Sequence, residues 1–460
     1  METVSQNQEN VGFFSRGRCW FKALWEKLVF KIVETARNAR SLGKEDPRRV
    51  IHSVKVGFAI ALVSLIYYFD PIYDGLRVSA MWAVMTVVVV FEFSVGSTLG
   101  KCVNRGIATV VGGGLGVAAH RLASCFGNDI VEPTMLAASV FLFAATVTFV
   151  RFIPQMKARF DYGLQIFILT FSLISVSGYL NDEVLDMALT RLSTVMLGAS
   201  ASLAICILIF PVWAGEDLHN LVADNIEKLG NYLEGFGDEY CKTLEDGNVK
   251  DNKALLEKYK SVVNSKGIEE SLVNFAKWEP RHGKFRYRHP WGQYQKIGGL
   301  TRECSYRLDT LNGYLKSEIN APSEIREKIQ EFCQSMSFES SHALKNLALS
   351  IRKMTISHVA DSHIVIAKTT ADNLKNLLKT NSWQQTDLVE IIPVVTVASL
   401  LIEVVSCTAK IAECVHELAS LARFKSNSED DASNSEQKNT ERILRSPSIE
   451  GSHGVIITVE

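Results

Sequence analysis

The chain has 460 residues, a formal net charge of −1 and an apolar fraction of 47%. The length allows two or three domains, and the near-neutral charge gives no argument for a nucleic-acid partner. The apolar residues are unevenly spread, with most of them between Ile51 and Trp213, and that distribution decides the class.

Residues 1–49 are polar and basic. They include the amphipathic cationic stretch "RGRCWFKALWEKLVFKIVETARNAR". The first apolar run begins too late for a cleaved secretory signal. The N-terminal segment is therefore expected to stay in the cytosol, with the first apolar helix as an uncleaved anchor.

Six apolar stretches follow: Ile51–Phe69, Leu76–Phe93, Leu99–His120, Pro133–Phe152, Asp161–Leu180 and Leu185–Trp213. Most are close to the ~20 residues that a helix needs to cross a bilayer. They lack the polar face a soluble core helix would keep. The connecting loops sort by charge. Lys44, Arg48, Arg49 and Lys55, then Lys101 and Arg105, then Arg151, Lys157 and Arg159 form the basic set, which the positive-inside rule puts on the cytosolic side. The alternate loops hold Asp70 and Asp74, Asp129 and Glu132, and Asp182, Glu183 and Asp186. Arg77, His120 and Arg121 are exceptions. The bias favours six spans over residues 50–213 with both termini inside.

Residues 214–424 read as a cytosolic helical domain. In "EDLHNLVADNIEKLGNYLEGF" the apolar residues recur at helical spacing. Pro322 opens a helix that reaches toward Met354. The charge-free core Ile391–Ile402 is too short for a span and reads as the buried central helix of a bundle. Residues 425–460 are polar and lack aromatics, a composition that does not order itself.

Ionisable residues inside spans are functional candidates. Lys101 and Arg105 share one face of the third span, Arg191 sits about two turns into the sixth, and Arg151 closes the fourth. Basic rings select for anions, so these four are candidate pore and anion-binding residues. Glu92 falls near the inner end of the second span and reads as the ion-pair partner of a cation at the start of the third, Lys101 or Arg105. Gly112 and Gly116 have the small-xxx-small spacing of closely packed membrane helices. The glycine run lacks the Lys-Ser/Thr of a phosphate loop. The nine cysteines are scattered and form no zinc or disulfide framework.

The stretches "EDPRRVIHSVKVGFA", "SAMWAVMTVVVVFEFSVGSTLGK", "FDYGLQIFILTFSLISVSGY", "FPVWAGEDLH" and "WEPRHGKFRYRHPWGQY" resemble the plant aluminium-activated malate transporter family from about Glu45 to Phe424. Trp278, Glu279 and Pro280 match its cytosolic signature triplet. The resemblance implies an all-α, dimeric anion channel rather than an enzyme, with six spans, a helical cytosolic domain, malate as main substrate and no cofactor. "FPVWAGEDLH" is similar to the segment this family is proposed to use in sensing γ-aminobutyrate; aromatic residues ending a helix at the membrane interface are the preferred explanation. The plasma membrane is favoured over the vacuolar membrane. Asp74, Asp182 and Asp186 are candidate ligands for external Al³⁺, a hard cation suited to oxygen donors; a solvated acidic rim is the plain alternative. The rival function is a proton-coupled exporter of aromatic or other organic acids, which would need a titratable carboxylate at mid-membrane depth.

Overall fold

The computed structural model describes residues 25–69, 80–126, 130–178, 184–246, 260–286, 288–315, 323–379 and 388–426. The chain divides into two compact units, Met1–Trp213 and Ala214–Glu460. The protein is all-α apart from one two-residue strand pair and an isolated bridge among the described residues.

In the first unit, residues 25–45 are helical. Six helices follow: α1 (Pro47–Phe69), α2 (Ala80–Val90), α3 (Val95–Ser124), α4 (Val131–Val150), α5 (Pro154–Gly178) and α6 (Val184–Leu208). By length and composition, α3 to α6 can each cross a membrane, whereas Met81–Val90 is a shorter apolar helix. α1 has 23 residues but carries Arg48, Arg49 and Lys55.

Local chemistry moves several helix ends away from where apolarity alone puts them. α2 stops at Val90 and α3 starts at Val95, because Ser94 caps α3 by accepting the Ser97 N–H. Glu92 thus lies in a short non-helical link, not in the second span. α5 begins at Pro154, the favoured first helical position for proline, well before the expected Asp161. α6 ends at Leu208, short of Trp213.

α3 is the hub of this unit, packing on α5, α6 and α4. A Cβ at Gly112 would sit 3.1 Å from the Phe167 carbonyl oxygen, and one at Gly116 3.0 Å from Ile174. The absent side chains let α3 and α5 approach, as the spacing predicts. α2 and α6 use the same device at Gly198, where a Cβ would come within 2.6 Å of the Ala83 carbonyl oxygen.

The second unit contains α7 (Ala214–Asp246), α8 (Lys266–Ala276), α9 (Trp291–Leu315), α10 (Ser323–Lys353), α11 (Val359–Lys379) and α12 (Leu388–Ala422). α10 starts directly after Pro322. The strand β1 (Thr355–Ile356) pairs in parallel with β2 (Lys425–Ser426). The strand pair therefore carries the described chain past Phe424, and residues 427–460 lie outside the described residues. α12 is long and apolar enough to cross a membrane. Its apolar residues Val394, Val397, Leu401, Val404, Ile411 and Leu418 nevertheless lie in the core of the bundle, packed by α9, α10 and α11.

Candidate functional site

Among the described residues of the first unit, the buried charged side chains are all cations: Lys55, Arg105 and Arg191. Arg105 and Arg191 are each 6% exposed, and neither has a carboxylate partner among the described residues. Arg105 Nη1 donates to the Tyr162 hydroxyl at 3.1 Å, while its buried Nε has no hydrogen-bond partner. The Arg191 guanidinium lies 3.8 Å from the centre of the Trp82 ring. Arg105 stands on α3 and Arg191 on α6, two helices that pack against each other. α3, α5, α2 and α6 thus bring two cations together and surround them with aromatic groups instead of counter-charges. Such a cluster costs desolvation and self-repulsion, and an incoming anion relieves both.

Lys101 is placed differently. Its ammonium forms an ion pair with the Glu92 carboxylate and donates to the Val89 carbonyl at 3.3 Å. It also lies 5.3 Å from the centre of the Tyr162 ring, the ring whose hydroxyl binds Arg105. Thr98 Oγ1 accepts the Glu92 N–H at 3.1 Å, which fixes the link between α2 and α3. Arg151 stands apart. It closes α4 and pairs with Asp161 through two bonds of 2.8 and 3.3 Å, so its charge is matched locally.

Lys55 was read from the sequence only as a loop cation. It is 3% exposed, and its Nζ donates to the Phe210 carbonyl at 2.7 Å. Phe210 has a φ of 41°, a conformation uncommon for an aromatic residue. The Val212 carbonyl then accepts the Val95 N–H at 2.9 Å. The segment 209–213 is thereby tied to α1 and to the start of α3. A lysine early in an otherwise apolar helix was the available signal.

Of the candidate Al³⁺ ligands, Asp74 and Asp182 lie outside the described residues. Asp186 is exposed in the first turn of α6. Among the described residues, no group of three or more His, Cys, Asp or Glu side chains is arranged to hold a metal ion.

In the second unit, the triplet Trp278-Glu279-Pro280 does more than stop α8. Glu279 is buried, and its two carboxylate oxygens accept the N–H groups of Ala214 at 2.6 Å and Gly215 at 3.0 Å. These are the first residues of α7, which has no Ser, Thr, Asp or Asn before it. A carboxylate from a distant segment thus serves as its cap and meets the positive end of its dipole. A Cβ at Gly215 would lie 2.4 Å from the Trp291 ring, so glycine is required for the close approach. Beyond the triplet, Phe285 packs against His219, His289 and Trp291. The Tyr294 hydroxyl meets His219 Nδ1 at 2.8 Å and His289 Nε2 at 3.2 Å. Burial lowers both imidazoles to about 4 and raises the Tyr294 phenol, so the group is uncharged at neutral pH. Glu269 and Arg302 form a further buried ion pair.

The family profile described as "Aluminium activated malate transporter" matches residues 40–385 and 379–419. The chain belongs to the aluminium-activated malate transporter family. It is 53% identical over 408 residues to the Arabidopsis thaliana protein named aluminum-activated malate transporter 2, an alignment covering 88% of this chain and 81% of the relative. It is 44% identical to the Triticum aestivum protein named aluminum-activated malate transporter 1, covering 86% and 87%. It is 39% identical to Arabidopsis aluminum-activated malate transporter 10, covering 91% of each chain. As a member of this transporter family with several apolar helices, it is a multi-pass membrane protein and not an enzyme.

Proposed function

We propose that this chain is a malate-permeable anion channel whose path passes Arg105 and Arg191. The observation that carries the reading is the buried charge of the first unit, which is wholly cationic among the described residues. A dicarboxylate offers two negative charges to two guanidiniums that lack their own. The names of the relatives supply malate as the anion. Lys101, held by Glu92, stands beside the path and keeps part of its field. Arg151 contributes little, because Asp161 matches it. The rival proton-coupled exporter needs a buried carboxylate to carry the proton; Glu92, at the end of a helix and paired with Lys101, is poorly suited to that.

In this reading the protein acts as a homodimer, the second unit is cytosolic, and malate leaves the cell through the plasma membrane. External Al³⁺ activates it by binding Asp74, Asp182 and Asp186. Voltage clamp of the expressed chain with malate inside tests the function. The reversal potential should follow the malate gradient and ignore the proton gradient; the opposite result favours the exporter. Adding external Al³⁺ should increase the current, and Asp182→Asn with Asp186→Asn should remove that increase.

A further inference from the structure

The helix over residues 25–45 takes no part in the proposed conduction path, yet its surface is highly ordered in chemistry. Every residue from 25 to 42 is exposed. At ~100° per residue, Trp25, Leu28, Val29, Ile32, Val33, Ala36 and Ala39 fall on one side and form a continuous apolar stripe. Trp25 is 68% exposed, Leu28 52%, and Ile32 58%. Arg37, Arg40 and Lys44 line one border of the stripe together with Glu26, and Lys31 lies toward the other. Lys27, Glu34 and Glu45 sit farthest from it. Most helical stability comes from packing an amphipathic face rather than from propensity, so this face needs a partner.

We propose that residues 25–45 lie in the surface of an anionic leaflet, with the stripe at the headgroup–acyl boundary and the bordering cations among the phosphates. Two observations favour lipid over a second copy of the chain. First, the stripe is broad and the helix is net basic, with Arg37, Arg40 and Lys44 along one border of the stripe and Lys31 toward the other. That layout suits a flat interface between water and anionic headgroups, whereas a helix–helix seam is narrower. Second, the helix runs directly into the membrane unit. Asp46 interrupts it and accepts the Arg48 backbone N–H at 3.1 Å, with Pro47 as the first residue of α1. α1 itself exposes an apolar face at Val50, Val54, Phe58 and Leu65. The inference does not depend on which anion is carried.

The test uses the full chain in vesicles of phosphatidylcholine with and without phosphatidylserine. The photoreactive residue p-benzoylphenylalanine replaces Val29 in one preparation and Glu34 in another. Both positions are exposed, so neither replacement disturbs packing. Irradiation should give lipid adducts at Val29 several-fold above those at Glu34, with phosphatidylserine preferred over phosphatidylcholine. Combining Lys31→Gln, Arg37→Gln and Arg40→Gln should remove that lipid preference. The proposal is overturned if Val29 cross-links to a second copy, if the two positions react equally, or if neither reacts with lipid. An unchanged preference in the triple variant overturns the role of the cations.

Discussion

The guanidinium of Arg191 lies 3.8 Å from the centre of the Trp82 ring. An aromatic face holds a desolvated cation by ~2 kcal/mol without cancelling its charge, which a carboxylate would do. Arg191 is thus held in place and still available to an anion. Replacing Arg191 with Gln should lower malate conductance by at least roughly tenfold, equivalent to ~1.4 kcal/mol. Trp82→Leu should lower it less, because the charge remains and only its placement loosens. Single-channel recordings at matched surface expression measure both. Equal conductance in wild type and the Gln variant would remove Arg191 from the path.

Glu92 and Lys101 should behave as a pair. Their side chains are 39% and 32% exposed, so the cost of a fully buried unpaired charge does not apply. Glu92→Gln should reduce stability by about 1 kcal/mol. The exchange Glu92→Lys with Lys101→Glu should recover only part of that loss, because it restores the ion pair but turns a carboxylate toward the Val89 carbonyl and the Tyr162 ring. A double-mutant cycle on melting temperature reads the coupling, and additive losses would show that the pair does not act as one.

The all-α class was legible in the apolar run lengths, and the membrane family in motifs such as "SAMWAVMTVVVVFEFSVGSTLGK". Helix ends were less legible. Pro154 and Ser94 set them through local capping, which a count of apolar residues does not register. The position of Lys55 in an apolar helix hinted at burial, but its partner, the Phe210 carbonyl, is 155 residues away and could not be read. The capping role of Glu279 was hidden for the same reason. Its triplet reads as a helix stop, and only the fold brings Ala214 and Gly215 to it. Gly112 and Gly116 could be read because small-residue spacing is local; Gly198 has the same spacing to Ser202, and it was masked by being paired with a serine rather than a second glycine.

Gly198 should tolerate no side chain. A Cβ there would meet the Ala83 carbonyl oxygen at 2.6 Å and the Thr86 Cβ at 2.9 Å. Both atoms belong to the helical framework of α2 or lie next to it, so α2 and α6 would have to separate. Gly198→Ala should cost about 1–3 kcal/mol and lower the melting temperature of the purified protein. Gly114→Ala, where a Cβ meets nothing within 4 Å, is the control and should have little effect.

The two buried histidines predict an acid-labile second unit. His219 Nδ1 and His289 Nε2 both meet the Tyr294 hydroxyl, at 2.8 and 3.2 Å; the hydroxyl can donate to only one ring, so the other donates to its oxygen. Folding favours the neutral imidazoles, lowered to about 4 from 6.5, chiefly by burial. The unfolded chain binds more protons below its own value near 6.5. Stability is therefore complete above that pH and is lost as pH falls toward 4, by on the order of 3 kcal/mol per imidazole. Thermal melts across this window should show the decline. Replacing His289 with Gln, which keeps a donor but does not titrate, should flatten it; an unchanged slope would exclude His289.

Glu279 should matter through its charge and its shape together. Each carboxylate oxygen accepts one N–H at the start of α7, from Ala214 at 2.6 Å and Gly215 at 3.0 Å. Glu279→Gln keeps the size but turns an NH₂ group toward one of those donors. One bond is lost, a buried N–H is left unpaired, and the charge that met the helix dipole disappears. The expected cost is about 1–3 kcal/mol. Glu279→Asp keeps the charge but withdraws it by one methylene, so it should fall between Gln and wild type. Gly215→Ala should cost as much by another route, since its Cβ would lie 2.4 Å from Trp291. Combining Gly215→Ala with Glu279→Gln should cost less than the sum, because both changes loosen the same junction. Melting temperatures of the purified full chain decide this. If the Gln variant melts with the wild type, the cap carries no stability and the triplet serves another purpose.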